Sequence, residues 1–230
     1  MKLITKTFWL LTIFSIAMGF IETAVVVYLR ELFYPNGFAF PLTSMSNTII
    51  ITELLRELAT IIMLASIGYM AGKNAHQRFA NFIFCFAVWD IFYYVFLKVL
   101  LNWPDTILDW DILFLIPVPW VGPVLAPVLI SMAMIVWYFL IHYHDKKIEA
   151  STWSLFAAGS LIAIGSFIYE HVMAAFAGIN LLQYSHMYIP QHFNWYLFAC
   201  GFGLILMSLW HYTLKAIQEN ELYLITINKK

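Results

Sequence analysis

Charge is the scarcest ingredient of this 230-residue chain: Asp, Glu, Lys and Arg make up 11% of it, against about 25% in a soluble domain. A water-soluble globule is thereby excluded. Two cysteines exclude a disulfide scaffold and a Cys-rich zinc module. Eight prolines and ten glycines are too few for a fibrous or disordered chain. A net charge of −1 argues against a nucleic-acid partner. What is present is apolar: 63% of the residues are hydrophobic and the mean hydropathy is +0.81. The expected fold class is all-α, a polytopic membrane helix bundle in one integral-membrane domain, with the lipid bilayer as its first partner.

A helical span needs roughly 20 mostly apolar residues. Six such runs are present, at about 8–29, 49–71, 79–101, 112–141, 153–179 and 193–214. The first follows Lys2 and Lys6 in the manner of a signal peptide, but it is too long for an h-region and no small-x-small cleavage site precedes Glu22; it is expected to stay as an anchor. Basic residues resist translocation. Nine of the twelve lie on one side of the six spans: Lys2, Lys6, Lys73, Arg78, Lys146, Lys147, Lys215, Lys229 and Lys230. Both termini are therefore expected to be cytoplasmic, in a bacterial inner membrane.

Span four is unusual. As one helix it would run about 45 Å, well beyond a hydrocarbon core of roughly 30 Å. Its first part carries Pro117, Pro119 and Pro123, with Pro127 a turn later, and proline removes a backbone donor and clashes with the preceding turn. Residues 112–121 are read as a re-entrant or interfacial segment on the outer side, feeding a helix from about 122; the alternative is one long tilted helix kinked at its prolines. The loop 30–48, with Pro35-Asn36-Gly37 as a turn, reads as an external lid or interfacial loop. Aromatic residues reach 18%, but Trp and Tyr crowd membrane interfaces for solvation reasons alone.

With that topology the inner half of the hydrocarbon layer carries no charge, and the outer side holds nine acids against three bases. By helical rise, Glu22 lies about 10 Å below the outer end of its span, Glu57 about 12 Å, Asp90 about 16 Å and Glu170 about 13 Å. Each would cost roughly 2.5–3.5 kcal/mol facing lipid at a helix centre. They are expected to face inward. Spacing agrees: Glu53, Arg56, Glu57 and Thr60 form one stripe at i, i+3, i+4 and i+7, and Gly159, Ala163, Ser166, Glu170 and Ala174 form a small-and-polar face. Asp90, Tyr94 and Lys98 line up on the third span. Arg56 and Lys98 read as structural counter-ions, Lys98 toward an acid of 105–111 or outward. Five acids (Glu22, Glu53, Glu57, Asp90 and Glu170) against those two bases leave three uncompensated, to be protonated, hydrated or bound to a cation.

The candidate site is therefore Glu22, Glu57, Asp90, Glu170 and His171, with Glu53, Arg56, Tyr94 and Lys98 in support. Clustered carboxylates with an imidazole suit Fe, Mn or Zn, with Glu22, Glu57, Asp90, Glu170 and His171 as the ligands, although Glu-x-x-His and His-Glu-x-x-His are both absent. Glu57, Asp90, Glu170 and His171 are also the candidates for metal-free acid–base chemistry. His142, His144 and His211 sit at helix ends, where dipole and solvation explain them, and Cys85 and Cys200 read as packing residues. Asp111 reads as a near-surface residue. Three function classes stay open: a metal-dependent or acid–base enzyme acting on an apolar or amphiphilic substrate, a transporter or proton-coupled carrier, and a non-catalytic assembly protein.

The stretches Trp89-Asp-Ile-Phe-Tyr-Tyr94 and Asp111-Ile-Leu-Phe-Leu-Ile-Pro-Val-Pro-Trp-Val-Gly-Pro-Val-Leu-Ala-Pro127, together with Glu22-Thr-Ala-Val-Val-Val-Tyr-Leu-Arg30, resemble those of a family of uncharacterised multi-pass bacterial membrane proteins. The resemblance covers about the first 130 residues. It implies the bacterial inner-membrane placement and no activity, cofactor or partner.

Overall fold

Apolar runs bounded by capping residues set the helix limits. The computed structural model describes residues 6–228, the side chains of 182, 183 and 221–228 excepted; Lys2, Lys229 and Lys230 of the charge tally lie outside the described residues. Helix α1 spans Lys6–Phe33, α2 Asn47–Ala71 and α3 Ala75–Leu101. Ser46 caps α2 by accepting from the Ile49 N–H at 3.4 Å, and Asn74 caps α3 by accepting from the Gln77 N–H at 2.9 Å. Such side chains satisfy backbone donors that have no partner inside the helix. Asn102 ends α3 in the left-handed region at φ 52°, which asparagine tolerates.

The fourth run does not form a helix from residue 112. Strand β1 (Trp110–Phe114) pairs antiparallel with β2 (Trp120–Pro123), Asp111 opposite Gly122 and Ile112 opposite Val121. Helix α4 then runs only over Leu125–His144. The reason lies in the prolines. Pro117 and Pro119 fall in the turn and Pro123 ends β2, while Pro127 occupies the first turn of α4, where a missing N–H costs no hydrogen bond. The fold is helical throughout apart from this small hairpin, as the all-α class has it, and the segment expected to feed a helix from about 122 is a hairpin followed by a 20-residue helix from Leu125.

Helix α5 spans Ala150–Phe176, α6 Leu181–Ser185 and α7 Trp195–Asn228. The run expected to end at 214 therefore continues as helix to Asn228. Among the described residues five helices (α1, α3, α4, α5 and the Trp195–Asn220 part of α7) are long and apolar enough to cross a membrane. Helix α2, which carries Glu53, Arg56 and Glu57, is not among them.

Helix α3 packs against α1, α2 and α4; α5 pairs with α7, which touches α4 in turn. The α5–α7 approach rests on small residues, because a Cβ on Gly201 would meet the Ala163 nitrogen at 2.5 Å and one on Gly159 would meet the Gly201 oxygen at 2.7 Å. The main core lies toward the end where α1 begins and α4 closes. There Phe84 and Tyr138 pack with ring centroids 4.3 Å apart, and Trp137 meets Tyr212 at 5.3 Å. Leu11, Leu64 and Ile141 are fully enclosed beside them.

Candidate functional site

At the opposite end, where α1 and α3 finish and α2 begins, the helices do not close. They enclose a cavity of about 360 Å³, walled by α1, α2, α3 and the hairpin and covered by loop residues 34–45 and by Leu181, Ser185 and His186. Its size falls within the range of small-molecule sites.

Measured from the helix ends, Glu22 sits eleven residues inside α1, Glu57 ten inside α2 and Asp90 eleven inside α3, a depth of about 15–16 Å in each case. All three line the cavity. Arg56 donates to Glu22 and also to Glu53, the latter at 2.8 Å, so one guanidinium serves two carboxylates from different helices. Its planar fork suits that task. Glu57, 7% exposed, accepts the Leu115 N–H at 3.0 Å on both oxygens and thereby holds the end of β1. Asp90 accepts from the Ser131 hydroxyl of α4 at 2.8 Å. Tyr94 is buried in the same wall.

A second ion pair belongs to the cavity. Arg30, the last basic residue of α1, reaches Asp111 of β1 at 3.4 Å. Its guanidinium lies 3.9 Å from the Trp103 ring and 4.6 Å from that of Phe38, and the Tyr93 hydroxyl donates to Asp111 at 3.5 Å. Aromatic faces attract the cation. Asp111 is 3% exposed, so its reading as a near-surface residue is corrected. Burial pushes its carboxyl up to about 6, with the Arg30 charge opposing that rise. One signal for Arg30 was present: Glu22, Val26 and Arg30 recur at i, i+4 and i+8 and all line the cavity. Asp111 carried none, since a hairpin was not foreseen.

Three expected members lie elsewhere. Glu170 is exposed on α5 and borders a separate small recess with Trp110, His192 and Asn194. His171 is 1% exposed, but it is packed edge-on against Tyr188 and Tyr184, with ring centroids at 5.1 and 5.4 Å. Lys98 is exposed and donates to the Asn102 and Pro104 carbonyls at 3.2 and 2.9 Å, closing the end of α3 rather than pairing with a buried acid. Nor is a metal centre assembled: among the described residues no group of three His, Cys, Asp or Glu side chains is placed to hold an ion. The expected Fe, Mn or Zn set of Glu22, Glu57, Asp90, Glu170 and His171 is corrected accordingly, because two of its five members are on another helix outside the cavity.

The arrangement nevertheless keeps the expected imbalance. Five acids (Glu22, Glu53, Glu57, Asp90 and Asp111) face two arginines in the cavity wall. Most of the remaining wall is apolar, including Val26, Leu29, Leu54, Leu113 and Val118. Such a site can hold a molecule with an apolar body and a cationic or hydrogen-donating end. Apolar helices around a buried polar cavity define a multi-pass membrane protein. No family model matches the chain, and no curated protein or solved structure matches it either.

Proposed function

We propose that the chain crosses a bacterial inner membrane six times, with α2 as the sixth span and both termini cytoplasmic, and that it binds an apolar or amphiphilic small molecule in the cavity from the periplasmic side. One observation carries this reading: charged side chains from α1, α2, α3 and the hairpin share one cavity with apolar walls. Lipid would penalise each of those charges if they were apart. The basic residues of the loops at 73–78 and 146–147 support the orientation. The packed aromatic core beneath the cavity counts against a carrier, which needs access to both faces.

A second reading, acid–base chemistry on the bound molecule, is favoured by Asp90 alone, whose hydrogen-bond partner is the Ser131 hydroxyl and not a base. The deciding experiment is native mass spectrometry of the protein taken from its own membranes into nanodiscs. About one co-purifying amphiphile per chain is expected, lost in Asp90→Asn with the helical spectrum unchanged. A wild-type protein that carries none, and takes up none when amphiphiles are added, overturns the proposal.

A further inference from the structure

Two arginines wall the cavity, and they are engaged to different degrees. Arg56 is shared between Glu22 and Glu53. The Arg30 side chain is only 9% exposed, yet among the described residues it makes one hydrogen bond, from Nη2 to Asp111 at 3.4 Å. That is longer than the usual range of about 2.7–3.2 Å. A guanidinium has several N–H donors in one plane. The Trp103 and Phe38 rings offset its charge, but their faces offer no oxygen to those donors. Nε and Nη1 are thus left without an acceptor. Neither is sealed off: the fully enclosed side-chain atoms without a partner belong to Asn81, Trp89, Tyr94 and Trp137, whereas Arg30 lines the cavity. A buried donor left unmet is costly, so these nitrogens call for an oxygen on the cavity's occupant.

The charge of the wall decides which oxygen. Arg30 and Asp111 already neutralise each other, and Glu22, Glu53, Glu57 and Asp90 share the cavity with Arg56. An anionic head would bring like charge into that surplus. A carbonyl accepts from Arg30 and brings none. The acids in turn have room for donors: Asp90 holds the Ser131 hydroxyl on Oδ2 and has no hydrogen bond on Oδ1, and Glu22 pairs through Oε2 alone. Resting on the reading of this cavity as a binding site, we infer that its occupant is an uncharged acyl amphiphile with a hydroxylated head, of the monoacylglycerol kind. Its carbonyl accepts from Nε or Nη1 of Arg30, and its hydroxyls donate to the open carboxylate oxygens. Val26, Leu29, Leu54 and Leu113 are left for the acyl chain.

The test is equilibrium binding to the full-length protein in nanodiscs, corrected for empty nanodiscs, with monododecanoylglycerol, its ether analogue monododecylglycerol, dodecanoate and dodecylamine as probes. The two glycerol probes differ only in the carbonyl. The acylglycerol is expected to bind tightest. The ether should be weaker by about 10-fold, the worth of a hydrogen bond from a charged donor, and dodecanoate by about 10-fold or more, through like-charge repulsion. Asp111→Asn leaves the Arg30 charge without its counter-ion, so dodecanoate should gain about 10-fold on the acylglycerol. A purely structural Arg30 would give no such gain. The double variant Arg30→Met, Asp111→Asn strands no charge and should bind the acyl and alkyl glycerols equally. The wild-type comparison stands whether or not that variant folds. Equal affinity for the two glycerols in the wild type, or tightest binding of dodecanoate or dodecylamine, overturns the inference and leaves the amphiphile site standing. Saturable binding of none of the four overturns both.

Discussion

Across the cavity, α1 and α2 stay apart and bridge the gap between them with the Arg56–Glu22 ion pair, whereas α5 and α7 close until glycine meets backbone. The two helix groups differ in what they can lose. In the first, a side chain removed leaves a charge facing nothing in a low dielectric. In the second, a side chain added forces two helices apart, since the atoms it meets are backbone and cannot yield. Arg56→Ala is the sharpest way to break the contrast. It leaves Glu22 and Glu53 close together without their shared counter-ion and should cost about 4 kcal/mol, read as the free energy of denaturation in bicelles. Arg56→Lys keeps the charge and loses the fork, so it should recover only part. A loss no larger than that of a surface substitution would mean that the pair is not holding α1 to α2.

The hairpin gives the second test. With its carboxyl pushed up to about 6 from the ordinary 3.8, Asp111 holds a proton in the folded protein at pH values where the unfolded chain has lost it. Folding is then favoured on the acid side. The contribution is complete below pH 3.8 and disappears as the pH rises through about 6. Between pH 7 and pH 4 the wild type should gain about 2.4 kcal/mol relative to Asp111→Asn, seen as a steeper rise of the denaturation midpoint on acidification. Parallel pH profiles for the two proteins would mean that burial does not raise the Asp111 carboxyl. Third comes Gly201→Ala in the α5–α7 contact, where one methyl group meets the Ala163 nitrogen. A cost of about 2 kcal/mol is expected, with amphiphile binding in the cavity unchanged, because α7 does not line it.

The sequence made the acids of α1, α2 and α3 legible because two independent constraints agreed on them. Depth from the span ends put Glu22, Glu57 and Asp90 in one layer, and helical spacing put Arg56 on the face of Glu53 and Glu57. The limits of α1, α2 and α3 follow the hydrophobic runs to within a few residues. The hairpin was not legible, since prolines report only that a helix is refused and say nothing of what replaces it. Arg30 and Asp111 were missed for a related reason. Both stand at the edge of an apolar run, where a span boundary consigns a residue to a loop, whereas the folded chain continues α1 to Phe33 and brings β1 back beneath it. Counting charges therefore found the right excess with the wrong members: Asp111 stands where Glu170 was expected, and Arg30 where Lys98 was.

Glu170 shows where facing and length part company, and it carries the smallest prediction. Its position on α5 matches the stripe of Gly159, Ala163 and Ser166, which is buried against α7. Yet α7 is antiparallel and begins at Trp195. From Gly201, which touches Gly159 and Ala163, only six residues remain before that beginning, about 9 Å of helix. The same rise carries α5 to about residue 167–169. Glu170 thus stands past the end of its partner helix; Tyr184 and Tyr188 cover the neighbouring His171 there, and Ala174 beyond it is buried, but Glu170 itself is left exposed. Glu170→Gln should change stability by less than about 0.5 kcal/mol, as an exposed surface position does, and should leave amphiphile binding in the cavity at the wild-type value. If Glu170→Gln instead weakened binding as Asp90→Asn is expected to, the recess beside Trp110 and the cavity beneath the hairpin would have to be one site, and the contrast between the two helix groups would fall with it.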